Sequence, residues 1–537
     1  MQDCGTVTEV ADLLPTAPET QPPLPAPRRR TARLGSRRHG EIMVWLVAFV
    51  ALLAIFTLGN RHLFSTPVYP DGDYAANAII IEDATRFDLL VGNYSRQGFF
   101  HPGPATFYVQ AAGQTLLHDL TGLVPAPFNG QALALLVLNA ALVALVVGIV
   151  WSHTRTAAAA LTTFAVVLGF AAYHAPLLVS TWMPRVYVAP FLLLMVAGAS
   201  VGRGTTRHLW CVVLATGLLL HGHAAFVYFT AVTAFAVAAA LWRTWRNHGP
   251  RVRLARPHIV AAAAVAAIFA LPIVVNLMLR WPGEFDDYLA YSSASQAGGH
   301  SPGEALDYTS WYWWQNASTR GPVIALLVAA AVAVVVRHRR PATRRFLGFC
   351  LGAAALETAL VFVYAIRGID YLDLRYIGYF SWAVPLVVML VLAVGALPAA
   401  ANRRVTALAG AAAVAVVVVA LAAGGLTDGY RGSSELPALV ESLAAQRAQR
   451  AQFLVLEIIP EEVTWAAAVA VLVEADRRGI PACIVNADLI HLMTDRFLCD
   501  RRQVASGLAL QFVPPGTASR PVGRTYYADV VRTEVGA

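Results

Sequence analysis

The chain has 537 residues, of which 57% are hydrophobic and only 13% are charged. A soluble domain carries about 25% charged residues, so this composition excludes an ordinary soluble protein. The formal net charge of +8 does not indicate a nucleic-acid-binding protein, because the arginines lie in short clusters between apolar stretches. Stretches without ionisable side chains, such as 321–336 and 405–426, are near the length that crosses about 30 Å of hydrocarbon as a helix.

The N-terminal segment, residues 1–40, is rich in proline, alanine and arginine and lacks apolar periodicity, so we expect a disordered tail. No cleavage site follows the first apolar stretch, which therefore predicts a membrane helix rather than a removable signal. Membrane helices are predicted near 43–58, 131–151, 157–173, 186–202, 208–221, 224–242, 258–279, 321–336, 346–366, 376–397 and 405–425.

Arginine is distributed unequally between the two sets of loops. With the N-terminus in the cytoplasm, the tail and the cytoplasmic loops hold about 21 arginines in roughly 50 residues, against about 8 in roughly 140 residues of the opposite loops. This asymmetry predicts a multi-pass protein of the plasma (inner) membrane with a cytoplasmic N-terminus and an extracytoplasmic C-terminus.

Three extracytoplasmic segments are large, at 59–130, at 281–320 and from 427 onwards. The last contains β-like runs at 453–458 and 482–485, with an amphipathic helix between them at 464–478. The predicted fold is therefore an all-α polytopic membrane domain at 41–426, with about eleven helices, followed by a small extracytoplasmic α/β domain at 427–537. Cys483 and Cys499 could form a disulfide there, because exported regions are oxidised.

The first large loop concentrates polar side chains close to the predicted membrane surface. It contains the acidic segment Asp71-Gly72-Asp73, then Glu82-Asp83, then Asn93-Tyr-Ser-Arg-Gln-Gly-Phe-Phe-His-Pro-Gly-Pro104. The amphipathic segment 105–118 is typical of a helix that lies in the membrane interface. A solvated connecting loop is the alternative interpretation, since loops are normally polar.

This arrangement resembles the GT-C superfamily of integral-membrane glycosyltransferases, which includes protein O-mannosyltransferases, lipid A aminoarabinose transferases and arabinofuranosyltransferases. Members carry an acidic motif in the first extracytoplasmic loop, and in one branch a His/Lys-Pro-Pro-like motif follows. Here His101-Pro102 stands 28 residues after Asp73, and Leu374-Arg375-Tyr376 opens a late helix that contains Pro385. The acids are separated by Gly72 and the second motif is His-Pro-Gly-Pro, so the branch and the sugar stay open.

The resemblance implies transfer of a sugar from a polyprenyl-phosphate-linked donor to an envelope glycan, lipid or protein. Membrane lipids are further expected partners, whereas nucleic acid is not expected as a partner. Such transfer needs a base for the acceptor hydroxyl, and a carboxylate can serve. Asp73 is the predicted base and Asp71 the second choice, with a helix cap or Asp-Gly turn as the structural alternative. Tyr74, Asn77 and Glu82 are predicted to contact acceptor or sugar, although a solvated face is the simpler interpretation of Glu82.

The departing phosphate needs cationic or hydrogen-bonding groups. Arg375 is the first candidate, because a charge at the outer mouth of a helix is costly to bury; snorkelling or pairing with Asp370 or Asp373 is the alternative. The further candidates for the donor phosphate are His101, Arg96 and Arg185, with ordinary packing as the competing interpretation of His101 and Arg96.

Metal binding has weak support in the sequence. His221-Gly-His223 lacks a carboxylate or cysteine at ligand spacing, and the acidic cluster Glu284, Asp286 and Asp287 is typical of a solvated loop, so no metal ligand is assigned. A divalent cation stays an open alternative as cofactor. Trp313 belongs to the aromatic run 311–314, for which interfacial anchoring is the default interpretation; stacking on the sugar or acceptor is the functional alternative for Trp313.

Two other functions compete with the enzyme. A transporter or flippase of a lipid-linked sugar would be expected to show internal repeats and polar or broken helices near the bilayer midplane, and neither is evident in the sequence. A non-catalytic envelope scaffold would act through the C-terminal domain, in which no catalytic motif is recognised.

Overall fold

The computed structural model describes residues 28–248, 255–294, 299–398, 402–459 and 463–533. Its helices are α1 Arg28–Gly59, α2 Gly72–Thr85, α3 Ala105–Gln114, α4 Pro127–Thr154, α5 Ala157–Tyr173, α6 Met183–Val186, α7 Val188–Gly202, α8 Leu209–Gly222, α9 Phe226–His248, α10 Arg256–Arg280, α11 Glu284–Ala294, α12 Pro302–Trp311, α13 Ala317–Arg337, α14 Pro341–Arg367, α15 Ala383–Gly395, α16 Arg403–Ala422, α17 Leu436–Arg450, α18 Trp465–Arg477 and α19 Arg501–Ser506. Its strands are β1 Phe453–Ile458, β2 Ala482–Ile484, β3 Gly507–Val513, β4 Gly523–Arg524 and β5 Asp529–Arg532.

Every predicted membrane helix has a counterpart in this set. Nine helical segments in the described ranges are long and apolar enough to cross a membrane, and α5 is a shorter apolar helix. The prediction of an all-α polytopic membrane protein with a small C-terminal α/β region is therefore confirmed. Of the predicted disordered tail, residues 1–27 lie outside the described residues, and residues 28–40 continue into α1.

The membrane helices divide into a central and a peripheral set. In an apolar stretch of 18 residues within the α6–α7 segment 94% of the residues are buried within the protein, whereas only 6% are buried in the corresponding stretch of α10. Both segments are apolar on all sides, so the exposed side chains of α10 require a lipid environment. The bundle is thus built around α7, with α4 and α15 beside it and α1, α10 and α16 at the lipid boundary.

The C-terminal sheet has the strand order β2-β1-β3-β5-β4. Strands β2, β1 and β3 are parallel, whereas β5 runs antiparallel to both β3 and β4. The crossover from β1 to β2 contains α18, as a parallel connection requires. Cys483 on β2 forms a disulfide with Cys499 in the segment before α19.

Helix α2 lies between the bundle and the C-terminal region. Its Glu82 forms an ion pair of 2.8 Å with Arg477 at the end of α18, and both side chains are largely buried. At the start of the loop, Tyr69 forms a parallel bridge with Gly432. These contacts position α2 at the end of the bundle that carries residues 60–126, 281–294, 299–316 and 423–435, which we call the loop face.

Candidate functional site

A cavity of about 420 Å³ lies at the loop face, directly beside α2. It is bounded by six parts of the chain: the first turns of α2, the segment 93–101, the turn before α6, the connection between α8 and α9, and the segments 288–291 and 364–380. The polar side chains on its wall are Asp73, Asn77, Asn93, Tyr94, Ser95, Arg96, Gln97, His101, Trp182, Tyr187, His223, Tyr288, Tyr291, Tyr364, Asp370 and Tyr376.

Asp73 is the carboxylate of this wall that lies in the first turn of α2. Gly72 has a φ of +50°, a backbone conformation that favours glycine, and this lets the extended Asp71 turn directly into the helix. The Asp73 carboxylate accepts hydrogen bonds from the Tyr94 hydroxyl and, at 2.8 Å, from Nε1 of Trp182. Because a carboxylate accepts about four hydrogen bonds, two such donors fix its orientation and leave acceptor capacity toward the cavity.

Tyr94 remains a donor over the whole physiological range. Burial raises its pKa well above the usual value for tyrosine, and the negative charge of Asp73 acts in the same direction. The phenol is therefore neutral beside Asp73.

Asp71 has a different environment. It occupies the N-cap position of α2, yet its side chain accepts from the Tyr430 hydroxyl at 2.9 Å and from the Ser433 hydroxyl at 2.9 Å instead of capping the helix. Burial raises the pKa of this carboxyl above its usual value. Asp71 thus connects α2 to the C-terminal segment and does not line the cavity.

His101 lines the cavity as a neutral imidazole. The backbone N–H of Ala224 donates to its Nδ1 at 3.3 Å, which leaves the proton on Nε2. The His223 ring lies 4.0 Å away between ring centroids, and burial lowers the pKa of both histidines, that of His223 to about 4. His101 can therefore offer a hydrogen bond to a ligand without a positive charge.

The close approach of the His221 ring explains why the His-Pro-Gly-Pro motif has a glycine at position 103. A Cβ on Gly103 would lie 2.3 Å from Nδ1 of His221, so no larger residue fits without movement. His221 itself contacts the Phe269 carbonyl through Nε2 at 2.8 Å and accepts from the Ala105 N–H at 3.3 Å. The departure from His-Pro-Pro is thus tied to the contact between this loop and α8.

The two histidines of His221-Gly-His223 have separate tasks, since His221 holds the loop and His223 faces His101. In the part of the chain that the structure describes, no group of three His, Cys, Asp or Glu side chains could hold a metal ion. Glu284, from the acidic cluster at 284–287, accepts instead from the Phe100 N–H at 2.9 Å.

Arg96 lies at the mouth of the cavity, exposed, with its guanidinium 5.9 Å from the centre of the Tyr371 ring. Beside it, Gln97 donates to Asp370 at 2.8 Å, and Tyr291 donates to the same carboxylate at 3.1 Å. The mouth is therefore formed by the 93–101 segment together with the segment that follows α14.

The other two predicted phosphate-binding arginines lie outside the cavity lining. Arg375 donates to Asp307 at 2.8 Å rather than to Asp370 or Asp373, and its guanidinium lies over Tyr308. Its Nη1 is buried without a hydrogen-bond partner within the described ranges. Arg185 lies between aromatic rings, with its guanidinium 5.6 Å from the Trp182 ring centre.

Three predicted sugar-contacting residues also lie away from the cavity. Tyr74 stacks on Tyr430 at 3.8 Å between centroids, Glu82 is bound by Arg477 and Gln114, and Trp313 packs against the core. Of the predicted site residues, the cavity brings together Asp73, Asn77, Arg96 and His101. Those outside it are Asp71, Tyr74, Glu82, Arg185, Trp313 and Arg375.

Sequence reasoning missed several residues of the cavity wall. Tyr94, Trp182, Tyr288 and Tyr376 come from four separate segments that no local pattern connects. Trp182 gave one usable signal, because Ser180-Thr181-Trp182 is a polar interruption between two apolar helices. Asn77 is among the residues predicted to contact acceptor or sugar. Its buried Oδ1 has no hydrogen-bond partner among the described residues, as expected of a group that binds a ligand.

No family model and no curated protein matches the sequence. Among solved structures, the chain is similar to ArnT from Cupriavidus metallidurans bound to undecaprenyl phosphate, with a TM-score of 0.53, 16% identity and coverage of 91% of this chain and 98% of ArnT. The apo state of the same ArnT gives a TM-score of 0.55 with 13% identity, covering 91% and 97%. The chain therefore shares the fold of these ArnT structures, and the polytopic membrane fold expected from the sequence is confirmed.

Proposed function

We propose that this protein is a membrane glycosyltransferase that transfers a sugar from a polyprenyl-phosphate donor to a hydroxyl group of a cell-envelope acceptor. Three observations support the proposal: the GT-C fold, the cavity at the loop face, and the similarity to an ArnT structure with bound undecaprenyl phosphate. The observation that carries it is the Asp73 carboxylate, oriented by two neutral donors and open to the cavity.

Asp73 has the chemistry of a general base in this reaction. As the acceptor oxygen forms a bond to the anomeric carbon, the bond from that carbon to the phosphate oxygen breaks, and Asp73 takes the proton of the acceptor hydroxyl. The polyprenyl phosphate leaves with the electron pair of the broken bond. An inverting transfer places the acceptor opposite the departing group, where water stands in inverting hydrolysis.

Arg96 and His101 are the residues that we propose for the donor phosphate. Arg96 supplies a charge at the mouth, and His101 supplies a neutral Nε2–H donor deeper in the wall. Charged hydrogen-bond donors to phosphate are the stronger ones, so Arg96 has the larger share. Arg375 and Arg185 stay predictions with less support, because Arg375 forms an ion pair with Asp307 and Arg185 packs against the Trp182 ring.

Asn77 is the proposed contact to the sugar or acceptor, because it lines the cavity and its buried Oδ1, a hydrogen-bond acceptor, has no partner among the described residues. Phe99, Phe226 and Phe380 add apolar surface to the same wall. A mixed wall of this type suits a ligand that is part sugar and part lipid.

We further propose that the loop face is extracytoplasmic in the plasma membrane. The arginine distribution supports this orientation, since the arginine-rich loops belong to the other end of the bundle. The disulfide between Cys483 and Cys499 is independent support, because such bonds persist in oxidising compartments.

The test uses the full chain in nanodiscs with radiolabelled decaprenyl-phosphate mannose or arabinofuranose and envelope glycan as acceptor. We expect labelled product and release of decaprenyl phosphate from the wild type, and a loss of at least about 100-fold in Asp73→Asn. Asp71→Asn and the exposed Asp88→Asn are the matched controls and should retain transfer. Undiminished product in Asp73→Asn would remove the base assignment.

The same preparation separates the enzyme from a transporter. In sealed liposomes, movement of labelled lipid-linked sugar across the bilayer without formation of any product would favour a flippase. Transfer at equal rates with and without a sealed membrane would favour the enzyme.

A further inference from the structure

We propose that the disulfide-closed loop between Cys483 and Cys499 is part of the active site, in which His491 positions Tyr94 and, through Tyr94, the carboxylate of Asp73. This inference rests on the proposed function and adds a part of the molecule in which the sequence shows no catalytic motif.

The loop is fixed to the C-terminal sheet at both ends. Cys483 and Cys499 are joined covalently, and the Cys499 N–H donates to the Ile484 carbonyl at 2.9 Å. Between them, Met493 and Phe497 are buried in the core of the C-terminal region. A closed loop with buried anchors has few alternative conformations, so a side chain that it presents is held in place.

The loop also contacts α2, the helix that carries Asp73. Arg496 lies 3.2 Å from the Asp83 carboxylate near the end of α2 and 3.0 Å from Asp476 on α18. Ion pairs of this exposure contribute little stability singly, but they fix the register between the loop and α2. The loop is therefore attached to the same rigid element as the proposed base.

His491 is the side chain that reaches the cavity wall. Its ring centroid lies 6.4 Å from that of Tyr94, with the two planes inclined by 56°. Tyr94 in turn donates its hydroxyl to Asp73. His491 is half-buried, and burial lowers its pKa, so it packs on Tyr94 as a neutral ring.

Positioning is the role that this geometry supports. His491 contacts Tyr94 and not Asp73, so it acts through the tyrosine. The backbone bridge between Tyr94 and Phe100 fixes the chain at this point, and the imidazole limits the space into which the phenol could swing. Without the imidazole, the hydroxyl would spend less time at the Asp73 oxygen, and misplacement of a catalytic group by about 1 Å can cost up to 100-fold in rate.

The experiment compares His491→Ala, His491→Phe and the control His118→Ala in the transfer assay, with a thermal melt of each variant; His118 is half-buried, as His491 is. We expect His491→Ala to lower kcat about tenfold at unchanged donor KM, and His491→Phe to restore most of the rate because it keeps a ring against Tyr94. His118→Ala should behave as the wild type. Reduction of the wild-type disulfide with dithiothreitol should lower kcat in the same way.

A double variant gives the decisive readout. If His491 acts through the Tyr94 hydroxyl, then His491→Ala should cause no further loss in a Tyr94→Phe background. Fully additive losses, or equal losses in His491→Ala and His491→Phe, would overturn the positioning role. Wild-type rates in His491→Ala while Asp73→Asn remains inactive would also overturn it and would leave the proposed function intact.

Discussion

The two ends of the helix bundle both bury ionisable side chains, but they use them differently. At the end opposite the loop face, Arg203 donates to Nδ1 of His153 at 2.5 Å, and Nε2 of His153 contacts the Ser200 hydroxyl at 2.7 Å. Ser200 contacts Nδ1 of His208 at 2.6 Å, and Nε2 of His208 contacts Glu41 at 2.7 Å. Because arginine can only donate, each group in this chain donates to the next, from Arg203 to Glu41.

The two ends of the bundle differ in whether a ligand can reach their polar groups. The chain from Arg203 to Glu41 connects α7, α4, the turn before α8 and α1, and Ser200 in its middle is fully buried. A satisfied polar network of this kind rigidifies the helices that it joins. At the loop face, Asp73 and Asn77 line a cavity, and within the described ranges Oδ1 of Asn77 has no hydrogen-bond partner. Burial of charged groups in a membrane protein therefore indicates a functional site only where a ligand can reach them.

Paired removal of one carboxylate at each end should give the largest contrast. Asp73→Asn is expected to lower transfer at least about 100-fold with little change in melting temperature. Glu41→Gln is expected to keep transfer within about twofold and to lower the free energy of unfolding by about 2 kcal/mol, because Arg207 and His208 lose their charged partner. Transfer assays and unfolding in detergent measure the two effects, and a reversed pattern would refute the assignment of the two ends.

The next effect concerns the fit of the His-Pro-Gly-Pro loop against α8. In Gly103→Ala the new Cβ would overlap the His221 ring, so we expect a loss of about 1–3 kcal/mol in stability and of about tenfold in transfer. Gly429→Ala is the matched control, because no atom lies within 4 Å of its Cβ position. Equal behaviour of the two variants in a thermal melt and a transfer assay would show that the loop does not depend on this contact.

A smaller effect is expected at the indole that holds Asp73. Trp182→Phe keeps an aromatic ring but removes the Nε1 donor, so Asp73 keeps only the Tyr94 hydrogen bond. We expect kcat to fall about fivefold, equivalent to about 1 kcal/mol, while the fold is retained, because the Tyr94 hydroxyl still orients the carboxylate. Steady-state kinetics check this, with Trp245→Phe on the exposed part of α9 as the control. An unchanged kcat would mean that Tyr94 alone orients the carboxylate.

The smallest effect is a pH dependence of stability at the loop face. Burial lowers the pKa of His101 and His223 below the usual 6.5, so the unfolded chain binds more protons than the folded one at mildly acidic pH. The contribution of these histidines to the free energy of unfolding is therefore fully present well above pH 6.5 and is lost as the pH decreases toward 4. The loss amounts to about 1 kcal/mol between pH 7 and pH 6. Melting temperatures across this range should decline less steeply in His223→Gln, and parallel curves would contradict the prediction.

The C-terminal strand and the site residues show how far local patterns reach. The run at 453–458 is predicted as a strand and forms β1 over the same residues, because a short run of apolar side chains is a local property of the sequence. The choice between Asp71 and Asp73 was not local. Tyr430 and Ser433, more than 350 residues away in the chain, occupy Asp71 and leave Asp73 to the cavity.

The arginines also show that the sequence context of a residue does not reveal its partner in the fold. Arg375 has the sequence context of a phosphate-binding residue, but folding brings Asp307 of α12 within 2.8 Å of it. Arg96 has an undistinguished context and lies at the cavity mouth. Charge alone was visible in the sequence, whereas the partner of each charge depends on packing.

The amino-acid sequence by itself determined the membrane class, the apolar helices and the small C-terminal α/β region, because hydrophobic length and periodicity act within one segment. The tertiary structure alone decided which polar groups meet at one cavity and which satisfy each other, because hydrogen bonds and ion pairs join residues that are far apart in the chain.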